Sequence, residues 1–193
     1  MNKTRLEAFS DGVLAILITI MVLEIKIPHG GTFSDLAPII PTFFSYLLSF
    51  VFIGIYWGNH HHLLHIVKHV NTGIMLSNLH LLFWLSLVPL ATEWMGENNF
   101  TPHSVALYLT LLDLCGVAYY ILQQKIVKSH VLSESMKKAL AKQKIKGLIS
   151  VAAYTSGIGI AFVSPFIAQL IYIITAIIWL IPDKNIERAM SEK

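Results

Sequence analysis

The sequence predicts an all-α integral membrane protein with six transmembrane helices per chain and both termini in the cytosol. Three observations carry this prediction. Apolar residues make up 55% of the 193 residues and charged ones only 13%, about half the ~25% charge of a soluble domain. The mean hydropathy is +0.65. The apolar residues fall in six continuous runs, which suits helices rather than the alternating strands of a membrane barrel. The basic residues, finally, segregate by loop.

The runs follow one another with short connections. The first extends from Phe9 to about Ile27, and the second from about Ile39 to Leu64, with Trp57 and several histidines near its end. The third covers Gly73 to Thr92, the fourth Val105 to Ile121, the fifth Gly147 to Ser164 and the sixth Phe166 to Ile181. Most approach the ~17–25 residues that cross ~30 Å of hydrocarbon as a helix. The last two are the shortest and are divided by Pro165; two tight spans are preferred to a re-entrant pair.

With the N-terminus inside, 13 of the 14 Lys and Arg residues fall on the cytosolic side, and only Lys26 lies outside. The positive-inside rule therefore selects both termini cytosolic. The cytosolic set includes Lys3, Arg5, Lys68, seven lysines from Lys125 to Lys146, and Lys184, Arg188 and Lys193 in the tail. Residues 125–146 are expected to form a basic cytosolic helix lying on the inner leaflet between spans four and five. Its first use is as a topology signal, with lipid-specific binding a second possibility. Trp94 is placed to anchor the outer interface. The start of the chain does not read as a signal peptide, because Glu7 and Asp11 interrupt it and no small-residue cleavage site follows. Residues 1–193 are expected to form a single membrane domain.

Enzyme signatures are missing. No Gly-rich phosphate loop, nucleophile elbow, zinc-protease helix or carbonyl filter motif occurs. The single Cys115 excludes an intrachain disulfide and any multi-cysteine metal site. Function must come from polar groups held in spans or from the shape of a pore.

The segment Arg5-Leu6-Glu7-Ala8-Phe9-Ser10-Asp11-Gly12-Val13 is the most informative. Asp11 stands just ahead of a long apolar run, where a carboxylate is costly unless paired or wetted. Arg5 can reach carboxylates with a planar fork. The competing reading is a helix start, with Ser10 or Asp11 as cap and acids at the positive dipole end. A second cluster comprises His60, His61, His62, His65 and His69. His61 and His65 share a helix face, and His62, His65 and His69 form a second stripe that could hold a transition metal, though no carboxylate or cysteine completes a site.

Arg5-x-x-x-Phe9-Ser10-Asp11 at the start of span one resembles the transmembrane protein 175 family of potassium channels. Phe9 to Ile16 resembles its bacterial branch. Tyr56-Trp57-Gly58-Asn59-His60 in span two, and Asn78-Leu79 with Pro89 in span three, agree with it. The resemblance covers the six-span length and implies a homotetramer in a lipid bilayer, with the first helices lining the pore. It implies a potassium-selective, leak-type ion channel with no enzyme activity and no cofactor, potassium being the permeant ion. It implies an apolar side-chain constriction in place of a carbonyl filter, beginning at Ile16 and continuing at Ile20 and Leu23. These three recur as i, i+4, i+7 and share one face. Thr19 lies on nearly the same face, where its hydroxyl can touch an ion between apolar rings.

An apolar ring strips water from an ion without replacing it, so the more weakly hydrated potassium crosses at lower cost, and the ring closes by dewetting. The resemblance also implies a support network of Arg5, Ser10, Asp11, Trp57, His60 and Asn78 around span one, with Phe9 part of the motif. A prokaryotic plasma (inner) membrane is the expected location, with no nucleic-acid partner. The competing function is a proton-coupled or metal-ion transporter that uses Asp11, the mid-span Asp113 and the histidines. Glu24 and Lys26 near the outer mouth can gather cations, pair together or pair with another helix. Ala153, Gly157 and Ala161 have the small-x-x-x-small spacing of close helix packing.

Overall fold

In a computed structural model, residues 2–181 are described. The tail residues Lys184, Arg188 and Lys193 lie outside the described residues. The described chain is helical: α1 (Lys3–Leu23), a short 3-10 segment (Phe33–Ile39), α2 (Ile40–His65), α3 (Thr72–Ser86), α4 (Val88–Glu97), α5 (Pro102–Ser129), α6 (Glu134–Ala161) and α7 (Pro165–Leu180).

Among the described residues, four segments are long and apolar enough to cross a membrane: Lys3–Leu23, Phe33–His65, Thr72–Glu97 and Pro102–Ser129. The other two expected spans differ. α7 is a shorter apolar helix of 16 residues. The fifth run is only the second half of α6, whose first half carries the basic stretch.

The structure thereby corrects the reading of residues 125–146 as a separate helix on the leaflet surface. α5 runs through Ser129, and α6 starts at Glu134 after a four-residue link capped by Ser133. Met136, Ala139, Leu140 and Gln143 recur at i, i+3, i+4 and i+7 and are buried. This stripe lies along α5, so the apolar side of the basic segment is covered by protein. The segment is amphipathic as expected, but the surface it covers is its own bundle.

α1 starts six residues earlier than the first apolar run. Asn2 caps it by accepting a 3.1 Å bond from the Thr4 amide. Ser10 and Asp11 are therefore interior helical residues, and the cap reading of them is overturned. The helix extends backwards because Leu6 and Ser10 continue the buried stripe of Leu14, Leu17 and Met21.

The third run is bent between α3 and α4. Pro89 has no amide hydrogen, and its ring disfavours the helical position before it. The last turn of α3 tightens in response, with the Leu87 amide bonding to the Trp84 carbonyl at 3.2 Å. α1 packs on α2, α3 and α4, while α5, α6 and α7 form a second group with α5 against α3 and α4. Polar ties hold these layers together. The Ser49 hydroxyl lies 2.6 Å from that of Thr92 and 2.8 Å from that of Tyr108, and Tyr172 donates to the Leu48 carbonyl.

Candidate functional site: the face of the first helix and its support

One side of α1 is clamped and the other is bare. Leu6, Ser10, Leu14, Leu17 and Met21 are buried. Opposite them, Phe9 is 55% exposed, Ile16 57%, Ile20 39% and Leu23 80%. Arg5, Gly12 and Thr19 are exposed on the same side. Ile16, Ile20, Leu23 and Thr19 thus share one open face of the chain. The Thr19 hydroxyl donates to the Ile16 carbonyl at 2.8 Å. Its proton is committed to the helix, which leaves its oxygen lone pairs outward as acceptors.

The clamped side holds a buried polar chain, and its donor order can be read from one end. Ser10 Oγ donates to the Leu6 carbonyl at 2.8 Å. The Ser10 oxygen accepts from Asn78 Nδ2 at 2.9 Å. Asn78 Oδ1 lies 2.6 Å from His60 Nε2. Since that amide oxygen only accepts, His60 must carry a proton on Nε2. Ser10, Asn78 and His60 are all essentially inaccessible, so each would be costly there without its partners. The chain ties α1 to α3 and α3 to α2.

Trp57 and Asp11 make a separate contact nearer the surface, with Trp57 Nε1 donating to Asp11 Oδ1 at 3.1 Å. Asp11 is thus partnered by a neutral donor. Arg5 does not join it: among the described residues Arg5 makes no ion pair or hydrogen bond, and it sits on the open face. The six expected support residues therefore divide into a buried trio, an exposed pair and one outlying arginine.

Both ends of α1 are held. Lys3 Nζ donates to the His65 carbonyl at 3.0 Å. At the other end, Lys26 pairs with Glu97 at the end of α4. The hydrogen bond and charge of Glu97 hold the Lys26 ammonium above its ordinary value.

The remaining histidines do not converge. α2 ends at His65, so His69 falls in the following loop and its stripe with His62 and His65 is broken. The His61 ring lies beside Trp57 and His62. Among the described residues, no group of three His, Cys, Asp or Glu side chains is placed to hold a metal. Asp113 accepts from Thr155 Oγ1 at 3.0 Å through Oδ2, while its buried Oδ1 has no hydrogen-bond partner among the described residues. Gly157 and Ala161 are buried, and a Cβ on Gly157 would stand 3.0 Å from Leu109, so the small residues serve close packing.

A second polar network, between α2, α5 and α6, was not legible beforehand. Gln123 donates to Gln143 at 2.8 Å, Gln143 donates to Asn59 Oδ1 at 3.0 Å, and Tyr119 donates to the Asn59 carbonyl at 3.1 Å. Gln143 lies inside the expected linker and Gln123 just before it. The available signal was two uncharged amides in and beside a lysine-rich stretch.

Among the described residues, a bundle of apolar helices long enough to cross a membrane clamps one side of its first helix and leaves the other bare. Residues 5–89 match the family described as "Endosomal/lysosomal potassium channel TMEM175". A Chryseobacterium relative named a potassium channel is 50% identical over 192 residues, covering all of both chains. The chain belongs to the TMEM175 family. A chicken relative named an endosomal/lysosomal proton channel is 34% identical over 109 residues, which are 50% of this chain and 22% of that one. The fold is similar to the crystal structure of a lysosomal potassium-selective channel TMEM175 homolog from Chamaesiphon minutus. There the TM-score is 0.82 at 24% identity, over 92% of this chain and 96% of that chain.

Proposed function

We propose that this protein is a potassium-selective leak channel of a prokaryotic plasma membrane, built as a homotetramer around a pore lined by α1. In this reading residues 1–193 form one six-span domain with both termini cytosolic. Ile16, Ile20 and Leu23 from four chains form stacked apolar rings, and Thr19 offers oxygen lone pairs between the rings. The trio Ser10, Asn78 and His60 holds α1 in register, and Asp11 with Trp57 fixes its cytosolic end.

The observation that carries the reading is the division of α1 into a polar-clamped side and an apolar bare side. α2 and α7 also present apolar residues outward, among them Phe43, Phe44, Phe166 and Ile174. The open side of α1 interleaves Gly12 and Thr19 with its isoleucines, which suits a narrow water-accessible path better than a lipid contact. The names of the bacterial relatives supply potassium as the ion.

The test is a bi-ionic potassium/sodium measurement on purified protein in planar bilayers. The expected result is a non-saturating current whose reversal potential favours potassium, with the preference reduced several-fold in Ile16→Ala. No current, or a slow flux that requires a proton gradient, would overturn it.

The second reading is a proton-coupled or metal-ion transporter. Two observations favour its proton form: the unpartnered Asp113 Oδ1 and the naming of animal relatives as proton channels. In that case Asp113→Asn abolishes flux; in the leak-channel case it leaves potassium current intact.

A further inference from the structure

We propose that His130 is a pH-sensitive latch: as a neutral imidazole it holds the turn between α2 and α3 against the end of α5, and on protonation it releases the middle of that turn. The turn, residues 66–71, is anchored at both ends. Ile66 and Val67 are buried at its start. At its end, Asn71 accepts from the Ile74 amide at 2.9 Å and donates to Ser129 Oγ at 3.0 Å. Between these anchors Lys68 and His69 are exposed, and both of their amides donate to His130 Nε2, at 3.1 and 3.4 Å.

The chemistry of the ring makes this contact conditional. A backbone amide only donates, so Nε2 must offer its lone pair, and the proton of the neutral ring sits on Nδ1. Nδ1 lies 3.1 Å from the Ile126 carbonyl, which only accepts and so selects the same tautomer. Imidazolium carries a hydrogen on each nitrogen and has no lone pair to offer. A proton on Nε2 therefore turns two attractions into two contacts between like-signed hydrogens. Imidazole side chains change charge between about pH 5 and 8.

The groups around the ring do not compensate. The turn carries Lys68 and His69, and the last turns of α5 carry Lys125 and Lys128. Where α1 meets the end of α2, Glu7 pairs with Lys3 at 3.7 Å beside His65. At the start of α6, Glu134 pairs with Lys137 at 2.7 Å, next to Lys138. Each acid is thus matched by a lysine of its own helix, and among the described residues none pairs with His130. A charged ring gains no ion pair that would keep the latch shut. The released segment begins three residues past the His65 carbonyl that receives Lys3, so it adjoins the tether of the first helix.

The experiment is amide exchange on the full chain in detergent at about pH 7.5 and about pH 5.5. Each rate is divided by that of an unstructured peptide at the same pH, which removes the intrinsic pH dependence. Protection at Lys68 and His69 is expected to fall about tenfold in acid. The Ile74 amide, capped by Asn71, keeps its protection and shows that the fold persists. His130→Gln places an amide oxygen near the position of Nε2; it does not titrate, so the acid response disappears. His130→Phe keeps a ring without an acceptor and leaves both amides unprotected at both pH values. His69→Gln retains the response. Equal protection at the two pH values in the unaltered chain, an acid response that survives in His130→Gln, or one that vanishes in His69→Gln would each overturn the proposal.

Discussion

Asn78 carries more of the site than any other side chain, because its amide connects two helices to a third through one acceptor and one donor. Replacing it with Leu keeps the branched shape, strands His60 Nε2 in a dry interior and removes the bond that the Ser10 oxygen accepts, while Ser10 keeps its bond to the Leu6 carbonyl. The expected loss is about 1–3 kcal/mol, read as a lower thermal midpoint in detergent. Ile16 behaves in the opposite way. Its side chain is more than half exposed in the chain, so Ile16→Ala should leave the stability of the single chain within about 0.5 kcal/mol, while altering conduction as described above. A residue that matters for transport and not for folding is the signature of a pore position. If Ile16→Ala lowered the midpoint as far as Asn78→Leu does, the face would be a packing surface.

At the scale of elements, close approaches decide which helices meet. A Cβ on Gly96 would lie 2.5 Å from Ser45 Oγ and 2.7 Å from the Thr42 Cα. The second contact is backbone and cannot swing away, so Gly96→Ala should separate α2 from α4 and cost about 1–3 kcal/mol. Gly147→Ala, with open space around it, should be neutral or slightly stabilising in the same melting assay. The loop after α2 is tied by His130, whose Nε2 faces the amides of Lys68 and His69 at 3.1 and 3.4 Å. That nitrogen accepts, so the ring is neutral with its proton on Nδ1, directed at the Ile126 carbonyl 3.1 Å away. His130→Ala should therefore speed hydrogen exchange at the Lys68 and His69 amides. At the start of the 3-10 segment, the Thr32 hydroxyl and amide both donate to Asp35, at 2.7 and 2.9 Å.

For the whole molecule, the sidedness of the basic residues is the property to test. Cys115 is completely buried, so it is a silent background for accessibility labelling. On the proposed topology, Lys137→Cys reacts with an impermeant maleimide only from the cytosolic side, and His29→Cys only from the outside. Reaction of both from one side would remove the six-span arrangement. Contacts already gather the basic segments at one end: Lys3 reaches the end of α2, and His130 reaches the loop that carries Lys68.

The amino-acid sequence by itself determined the helical membrane class, the sites of most apolar segments and the motif Arg5-x-x-x-Phe9-Ser10-Asp11, and its resemblance to a family pointed to Trp57, His60 and Asn78; the break ahead of Pro89 was not among the expectations. The class and the need for support are readable because hydrocarbon thickness sets run length and a polar side chain in an apolar run needs a partner. Only the tertiary structure decided who that partner is. Asp11 meets the Trp57 indole and not Arg5, and Ser10 bonds inward to Asn78 although it stands beside Asp11 in the chain. The structure alone also showed that Met136, Leu140 and Gln143 turn the basic segment onto α5. Spacing along one helix defines a face, but which neighbouring helix covers that face depends on contacts between residues 20 to more than 60 positions apart, and no local pattern encodes them.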